Sequence, residues 1–143
     1  MLRQSLTTLS FRAPRQGLHE VTGDVDSWVR DQGIDAGLLT LFCRHTSASL
    51  LIQENASSAA RRDLETFFSR VAPEDSSLYT HNDEGPDDMP AHLRSALTAT
   101  QLTIPVQHGQ MALGTWQGIY LVEHRTRPHR REITLQFVGT RAP

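Results

Sequence analysis

Gly37-Leu38-Leu39-Thr40-Leu41-Phe42-Cys43, then Arg44-His45-Thr46-Ser47, then Ala48-Ser49-Leu50-Leu51-Ile52-Gln53, is the stretch from which the architecture is best read outward. Residues 37–43 are almost continuously apolar and too short for a typical helix, so they predict a strand buried on both faces. Residues 48–53 predict a second strand, joined to the first by the polar turn at 44–47. Upstream, Leu2, Leu6, Leu9 and Phe11 lie among threonines and serines and suggest a strand over 2–12. Val21, Val25, Trp28 and Val29 recur at helical spacing, with Gly33 as a stop signal, which predicts a short helix over 23–32. Downstream, Asn55 is read as the N-cap of a helix whose apolar stripe is Ala60, Leu64, Phe67, Phe68 and Val71, ending at Pro73. Residues 73–90 form a long polar loop, of the kind that is either functional or disordered. Pro90 suits the first position of a helix continued by Leu93, Ala96, Leu97 and Thr100. Residues 102–106, 116–124 and 132–138 predict three more strands, with a turn at Thr126–Arg130 between the last two. Strand, helix, strand pair, helix, loop, helix and further strands is an α+β order.

The 143 residues suit a single domain over 1–143, large enough to bury a core without staples. Sixteen acidic against 14 basic residues give a net charge of −2, and the pI is near 6.4, so no nucleic-acid footprint is expected. A lone cysteine, Cys43, excludes an internal disulfide and reads as a small buried hydrophobe. No signal-peptide pattern and no membrane-spanning apolar run is visible, so a cytoplasmic protein without a membrane partner is expected. No phosphate-binding glycine loop and no nucleophile elbow is present.

Three polar strings can carry chemistry. His81, Asp83, Glu84, Asp87, Asp88 and His92 place two histidines and four carboxylates within twelve residues. Imidazole with carboxylate suits zinc and other divalent metals, and the same groups serve as acids or bases. Acidic residues at a helix start also complement the macrodipole without any further role. Arg44-His45-Thr46-Ser47-Ala48-Ser49 places hydroxyls and backbone amides at the end of a buried strand, where an anion can be held. A tight turn with a buried, hydrogen-bonded histidine is the competing reading. In Gly114-Thr115-Trp116-Gln117-Gly118-Ile119-Tyr120-Leu121-Val122-Glu123-His124-Arg125, strand parity sets Glu123 and Arg125 on one face as a candidate pair. The two glycines permit a close approach by ligand or backbone. A core strand with a solvated, salt-bridging end is the alternative. His129 with Arg127, Arg130 and Arg131 reads as a solvated turn or an anion-binding hairpin tip; His19 and His108 read as surface residues.

Together these strings resemble one family. His45-Thr46-Ser47-Ala48-Ser49-Leu50 with Glu54-Asn55, His81-x-x-Glu84-Gly85-x-Asp87-Asp88-Met89-Pro90-x-His92, and Gly114–Ile119 followed by Glu123-His124-Arg125 are similar to the YjbQ (secondary thiamine-phosphate synthase) family in order and separation. The resemblance implies a compact domain with a mixed, barrel-like sheet arrangement and two to three helices, assembled as a homotrimer. It implies a weak activity that joins a pyrimidine diphosphate to a thiazole phosphate and releases pyrophosphate. On this reading His45, His81 and His92 are the expected ligands of a divalent metal, zinc or magnesium. His45, Glu54, Asp87, Asp88 and Glu123 are the expected catalytic or metal-orienting groups, and Thr46, Ser47, Ser49 and Arg125 the expected contacts to a small phosphorylated metabolite. A trimer that binds a metal or phosphometabolite without turnover is the alternative.

Overall fold

Period-two burial organises the longest strands. In the computed structural model, which describes residues 1–143, β1 (Leu2–Ala13) and β8 (His129–Thr140) pair antiparallel along their whole lengths, from Leu2 opposite Thr140 to Ala13 opposite His129. Between them in sequence lie β2 (Gly17–Glu20), α1 (Thr22–Asp31), β3 (Ala36–Cys43), β4 (Ala48–Glu54), α2 (Ser58–Val71), α3 (Asp88–Leu97), β5 (Gln101–Gln107), β6 (Gln110–Met111) and β7 (Gln117–Glu123). The strands form a five-stranded sheet, ordered β1-β8-β3-β5-β6, and a three-stranded sheet, ordered β2-β7-β4. The architecture is α+β, with three α-helices and a larger sheet curled into a half-barrel. Every strand pairing is antiparallel, so the barrel-like curvature is present without parallel neighbours.

The two sheets face each other across the main core. Leu39, Leu41, Ile133, Leu135 and Phe137 from the larger sheet pack with Leu50, Ile119 and Leu121 from the smaller. Helix α1 adds Val25 and Val29, and Trp28 lies against Phe137 at 6.5 Å between ring centroids. A second cluster, Leu18, Phe68, Tyr120 and Val122, lies on the opposite face of the smaller sheet, under α2. β7 is therefore covered on both faces and is buried from Gly118 to Glu123.

That arrangement corrects the expectation for β3. It is buried on one face only, with Leu38 (48 % exposed) and Phe42 (46 %) on the other. No element lies over the outer face of its sheet, whereas the smaller sheet has a partner on each side. Gly37 and Gly139 stand opposite each other where β3 and β8 run closest; a Cβ on either would collide with the neighbouring backbone.

The helices also differ in detail. Ser57, not Asn55, caps α2, its Oγ accepting from the Ala60 N–H at 3.2 Å. Asn55 instead donates its side-chain amide to Glu20. The stripe of α2 narrows to Ala60, Leu64 and Phe68, leaving Phe67 and Val71 exposed. Helix α3 begins two residues before Pro90, which occupies its third position, where the missing N–H is still one of the unpaired first-turn donors. It ends before Thr100 and buries Pro90, Ala91 and Arg94, leaving Ala96 and Leu97 exposed. The polar loop before it is ordered by a 3₁₀ turn at Ser76–Leu78, by the Tyr79 hydroxyl donating to the Pro73 carbonyl at 2.7 Å, and by Asn82 donating to the Tyr79 carbonyl at 2.8 Å.

Candidate functional site

Asp88 is the centre of the site. It opens α3 with its side chain only 3 % exposed, and both its oxygens are engaged. Oδ2 faces His81 Nε2 at 3.0 Å and His92 Nε2 at 3.1 Å; Oδ1 accepts from Arg125 Nη1 at 3.0 Å. Asp88 and His92 are four residues apart on one helix and share a face for that reason. His81 arrives from the loop, its ring 5.7 Å from that of His92. The three ligand atoms lie within 4.8 Å of one another.

Arg125, at the end of β7, is a clamp beneath this trio. Its Nε donates to Asp87 at 3.0 Å, its Nη1 to Asp88 and its Nη2 to the Glu84 carbonyl at 3.0 Å. Burial works against the charge on Asp87, but Arg125 and the N–H and hydroxyl of Thr126 outweigh it and lower its pKa to about 2. Arg125 engages both carboxylates, Asp87 through Oδ2 and Asp88 through Oδ1, and leaves Asp88 Oδ2 facing the two histidines. Arg125 is thus fixed by three groups of the chain rather than presented to a phosphate. Its expected side-chain pairing with Glu123 is not formed either; only its backbone N–H reaches that carboxylate, at 3.1 Å.

The turn after β3 supplies the second wall. His92 Nδ1 lies 3.3 Å from the Thr46 carbonyl, and a carbonyl can only accept, so Nδ1 carries the proton. In the neutral ring, His92 Nε2 then presents a lone pair to Asp88 Oδ2 at 3.1 Å. Two acceptors held that close require a cation between them, either a proton or a metal. An Nδ1–H directed at a backbone carbonyl is the usual support of a metal-binding histidine. Each imidazole nitrogen lies 3.0 or 3.1 Å from the carboxylate oxygen, close to the roughly 3.3 Å between tetrahedral ligands about 2.0 Å from zinc, and the two nitrogens lie within 4.8 Å of each other. The residues therefore fit a divalent metal.

Beside the trio is an open basin of about 840 Å³, lined by His45, Thr46, Ser47, His92, Ser95 and Arg131 among others. The two histidine strings of the sequence thus meet here, but not as one ligand set. His45 Nε2 accepts the Glu132 N–H at 2.8 Å, which places its proton on Nδ1, and His45 is not among the three groups that converge. Burial, then the Arg131 charge, lowers the His45 pKa and favours the neutral ring. Ser47 Oγ accepts from Arg131 Nη2 at 3.0 Å. Arg131 Nε and Nη2 also hold Glu123, at 2.8 and 2.5 Å, and Glu123 is fully buried. Glu123 is therefore one half of an internal ion pair rather than a solvated strand end. Arg131 is likewise withdrawn from the hairpin tip, where Arg12, Pro128, His129 and Arg130 border a separate cavity of about 170 Å³.

Two expected residues lie elsewhere. Ser49 is buried, its Oγ 2.8 Å from His124 Nε2 and 2.5 Å from the Thr98 hydroxyl. Glu54 is exposed at the far end of β4, about 20 Å along the strand at ~3.3 Å per residue, and accepts the Ser57 N–H at 2.9 Å. Gly114 and Gly118 are approached by the side chains of Gln117, Glu20 and Asn55. Arg131 and His124 carry more of this region than the sequence suggested. The available signal was parity: Arg131 shares the inward face of Ile133, Leu135 and Phe137, and Glu123 that of Ile119 and Leu121.

Fold and site define an α+β protein with a His–Asp–His trio at the rim of an open basin. Comparison with known proteins agrees: the family described as UPF0047 protein YjbQ-like matches residues 7–140. The chain belongs to the YjbQ/UPF0047 family. It is 47% identical to a UPF0047 protein of Synechocystis sp., over 96% of this chain and 93% of the relative. It is 43% identical to UPF0047 protein YjbQ of Escherichia coli O157:H7, over 92% and 96% respectively. A YbjQ-like protein of unknown function from Sulfolobus solfataricus P2 superposes with a TM-score of 0.89 at 25% identity, covering 97% of this chain and 99% of that one. A yjbq/upf0047 family protein of Clostridium acetobutylicum gives 0.83 at 30% identity, covering 92% and 98%. No helix is long and apolar enough to cross a membrane.

Proposed function

We propose that the chain is a metal-dependent protein acting on a small phosphorylated metabolite, with His81, Asp88 and His92 as ligands of a divalent cation and the adjoining basin as the substrate site. The observation that carries this reading is the convergence of His81 Nε2 and His92 Nε2 on Asp88 Oδ2, at 3.0 and 3.1 Å, with His92 Nδ1 directed at the Thr46 carbonyl. The chemistry such a cation supplies is neutralisation of charge on a departing pyrophosphate, which suits the weak thiamine-phosphate-synthase-type reaction implied by the resemblance. The chain's own groups have narrower roles. Asp87 and Arg125 fix Asp88, Thr46 fixes the His92 tautomer, and Arg131 holds Ser47 and Glu123 at the basin wall. Homotrimeric assembly belongs to the same proposal. The outer face of the larger sheet carries Leu2, Leu6, Leu38, Phe42 and Val138 among threonines and glutamines, and a neighbouring copy would cover it.

A second reading, binding without turnover, is favoured by the engagement of Ser49, Glu123 and Arg125 in internal bonds. One experiment separates the two. Metal content is measured on tag-free protein and on His81→Ala and His92→Ala, and pyrophosphate release is followed with a pyrimidine diphosphate and a thiazole phosphate. Near-stoichiometric metal that disappears in both variants, together with metal-dependent release, is the expected result. Metal-free protein that takes up no divalent cation on addition refutes the metal site. Metal without pyrophosphate release leaves the binding reading.

A further inference from the structure

A second polar cavity lies on the other side of α3 and does not depend on the function proposed above. It measures about 110 Å³ and is bordered by Gln16 and Gly17 before and in β2, Glu65 and Phe68 of α2, Arg94 of α3, and His124. A single water needs only ~10–15 Å³ by this measure, so the space takes several waters or one small polyatomic ion.

What points to a ligand is Arg94. Its side chain belongs to a residue only 5 % exposed, yet its guanidinium makes a single hydrogen bond, Nη2 to the Ala72 carbonyl at 2.7 Å. Nε is buried without a partner, and no carboxylate lies within ion-pair distance. A guanidinium has five donors, and Glu74 and Asp87 act on this charge only from beyond ion-pair distance, which leaves most of those donors unanswered. Its neighbour His124 is 2 % exposed; Nε2 faces Ser49 Oγ at 2.8 Å, while Nδ1 has no partner in the chain. Burial, then the charges of Arg94 and Arg131, lowers the His124 pKa to about 3, so the ring is neutral. Glu123 also borders the space, but its carboxylate is held by Arg131. Glu65 Oε2 accepts the Leu18 N–H at 2.9 Å, and its carboxylate borders the same space. An anion that carries its own proton satisfies both walls, accepting from Arg94 and donating toward Glu65.

We propose that this cavity binds a small, proton-carrying oxyanion of the class of hydrogen phosphate or bicarbonate, held by Arg94 and His124. The probes are inorganic phosphate and bicarbonate, with chloride at matched ionic strength, titrated into the full chain with ¹⁵N-labelled histidine. The readout is the His124 ring nitrogens. A saturable shift with either oxyanion and none with chloride is expected, and the responding arm identifies the anion. Arg94→Gln is expected to weaken it about tenfold or more through loss of charge-assisted hydrogen bonds. The response is expected to persist in His81→Ala. If Arg94→Gln does not fold, Arg94→Lys, which keeps the charge but not the fork, takes its place with a smaller loss. The absence of any saturable response in the wild-type protein overturns the proposal. So does an unchanged response in the Arg94 variant, or its loss in His81→Ala, which would place the anion in the basin instead.

Discussion

Replacing Arg131 by methionine tests whether the wall of the basin rests on an internal ion pair. Glu123 is fully buried and receives three hydrogen bonds: from Arg131 Nε at 2.8 Å, from Arg131 Nη2 at 2.5 Å and from the Arg125 N–H at 3.1 Å. Arg131→Met removes the first two and the guanidinium counter-charge, and leaves the carboxylate with one neutral donor and the His129 ring at 3.8 Å. Removing one partner of a buried pair costs about 3–5 kcal/mol. For 143 residues the unfolding entropy is about 0.3 kcal/mol/K, so the melting temperature is expected to fall by roughly 10–17 °C. The double variant Glu123→Leu/Arg131→Met removes both charges. It is expected to recover most of the loss, because a buried pair replaced by apolar groups is often near neutral. Thermal and urea unfolding of the wild type and the two variants provide the measurement. A fall of less than about 3 °C in the single variant, or a double variant no more stable than the single, would refute the reasoning, since about 1 kcal/mol is the scale of an ordinary point substitution.

Other consequences are testable in the same way. Because the His124 pKa is lowered from 6.5 to about 3, the unfolded chain gains a proton that the folded chain refuses throughout that window. Stability from this group is complete above pH 6.5 and falls as the pH drops toward 3, by up to ~1.4 kcal/mol per pH unit. His124→Gln is expected to flatten that acid limb in urea titrations at stepped pH; an unchanged slope would exclude a neutral buried imidazole. Ser57→Ala is expected to cost about 1 kcal/mol through loss of the α2 cap, while Asn55→Ala leaves helix content unchanged by circular dichroism.

The sequence was most informative where the interactions are local. His81, Asp88 and His92 were legible as one cluster because they fall within twelve residues, although the helix was expected to begin at Pro90 and Asp88 to orient a histidine rather than to sit at the centre of the trio. The three helices and all the longer strands followed from periodicity. β2 and β6, of four and two residues, are too short to show any period. The doubly buried strand was misplaced because hydrophobicity alone does not tell a face covered by another layer from one left bare. β3 is the more apolar run, but β7 has a sheet on one side and α2 on the other. Within the site, the fixing of His92 by the Thr46 carbonyl involves residues 46 positions apart, and the capture of Arg125 by Asp87 and Asp88 involves 38 and 37. A one-dimensional pattern contains neither. Charge on an inward strand face, as at Glu123 and Arg131, was the one nonlocal clue that parity offered.

The position of β8 has a consequence for how the protein comes into being. It follows every other element in sequence yet lies between β1 and β3 in the larger sheet. As the chain emerges during synthesis, β1 and β3 have no hydrogen-bonding contact with each other, and the slot between them stays open until residues 129–140 arrive. Closing it means joining segments 90 to 138 residues apart, a slow, high-separation step. Arg131 enters with that strand, so the basin lacks a wall until β8 is in place. Until β8 inserts, the facing edges of β1 and β3 are the surfaces on which a holding chaperone would act.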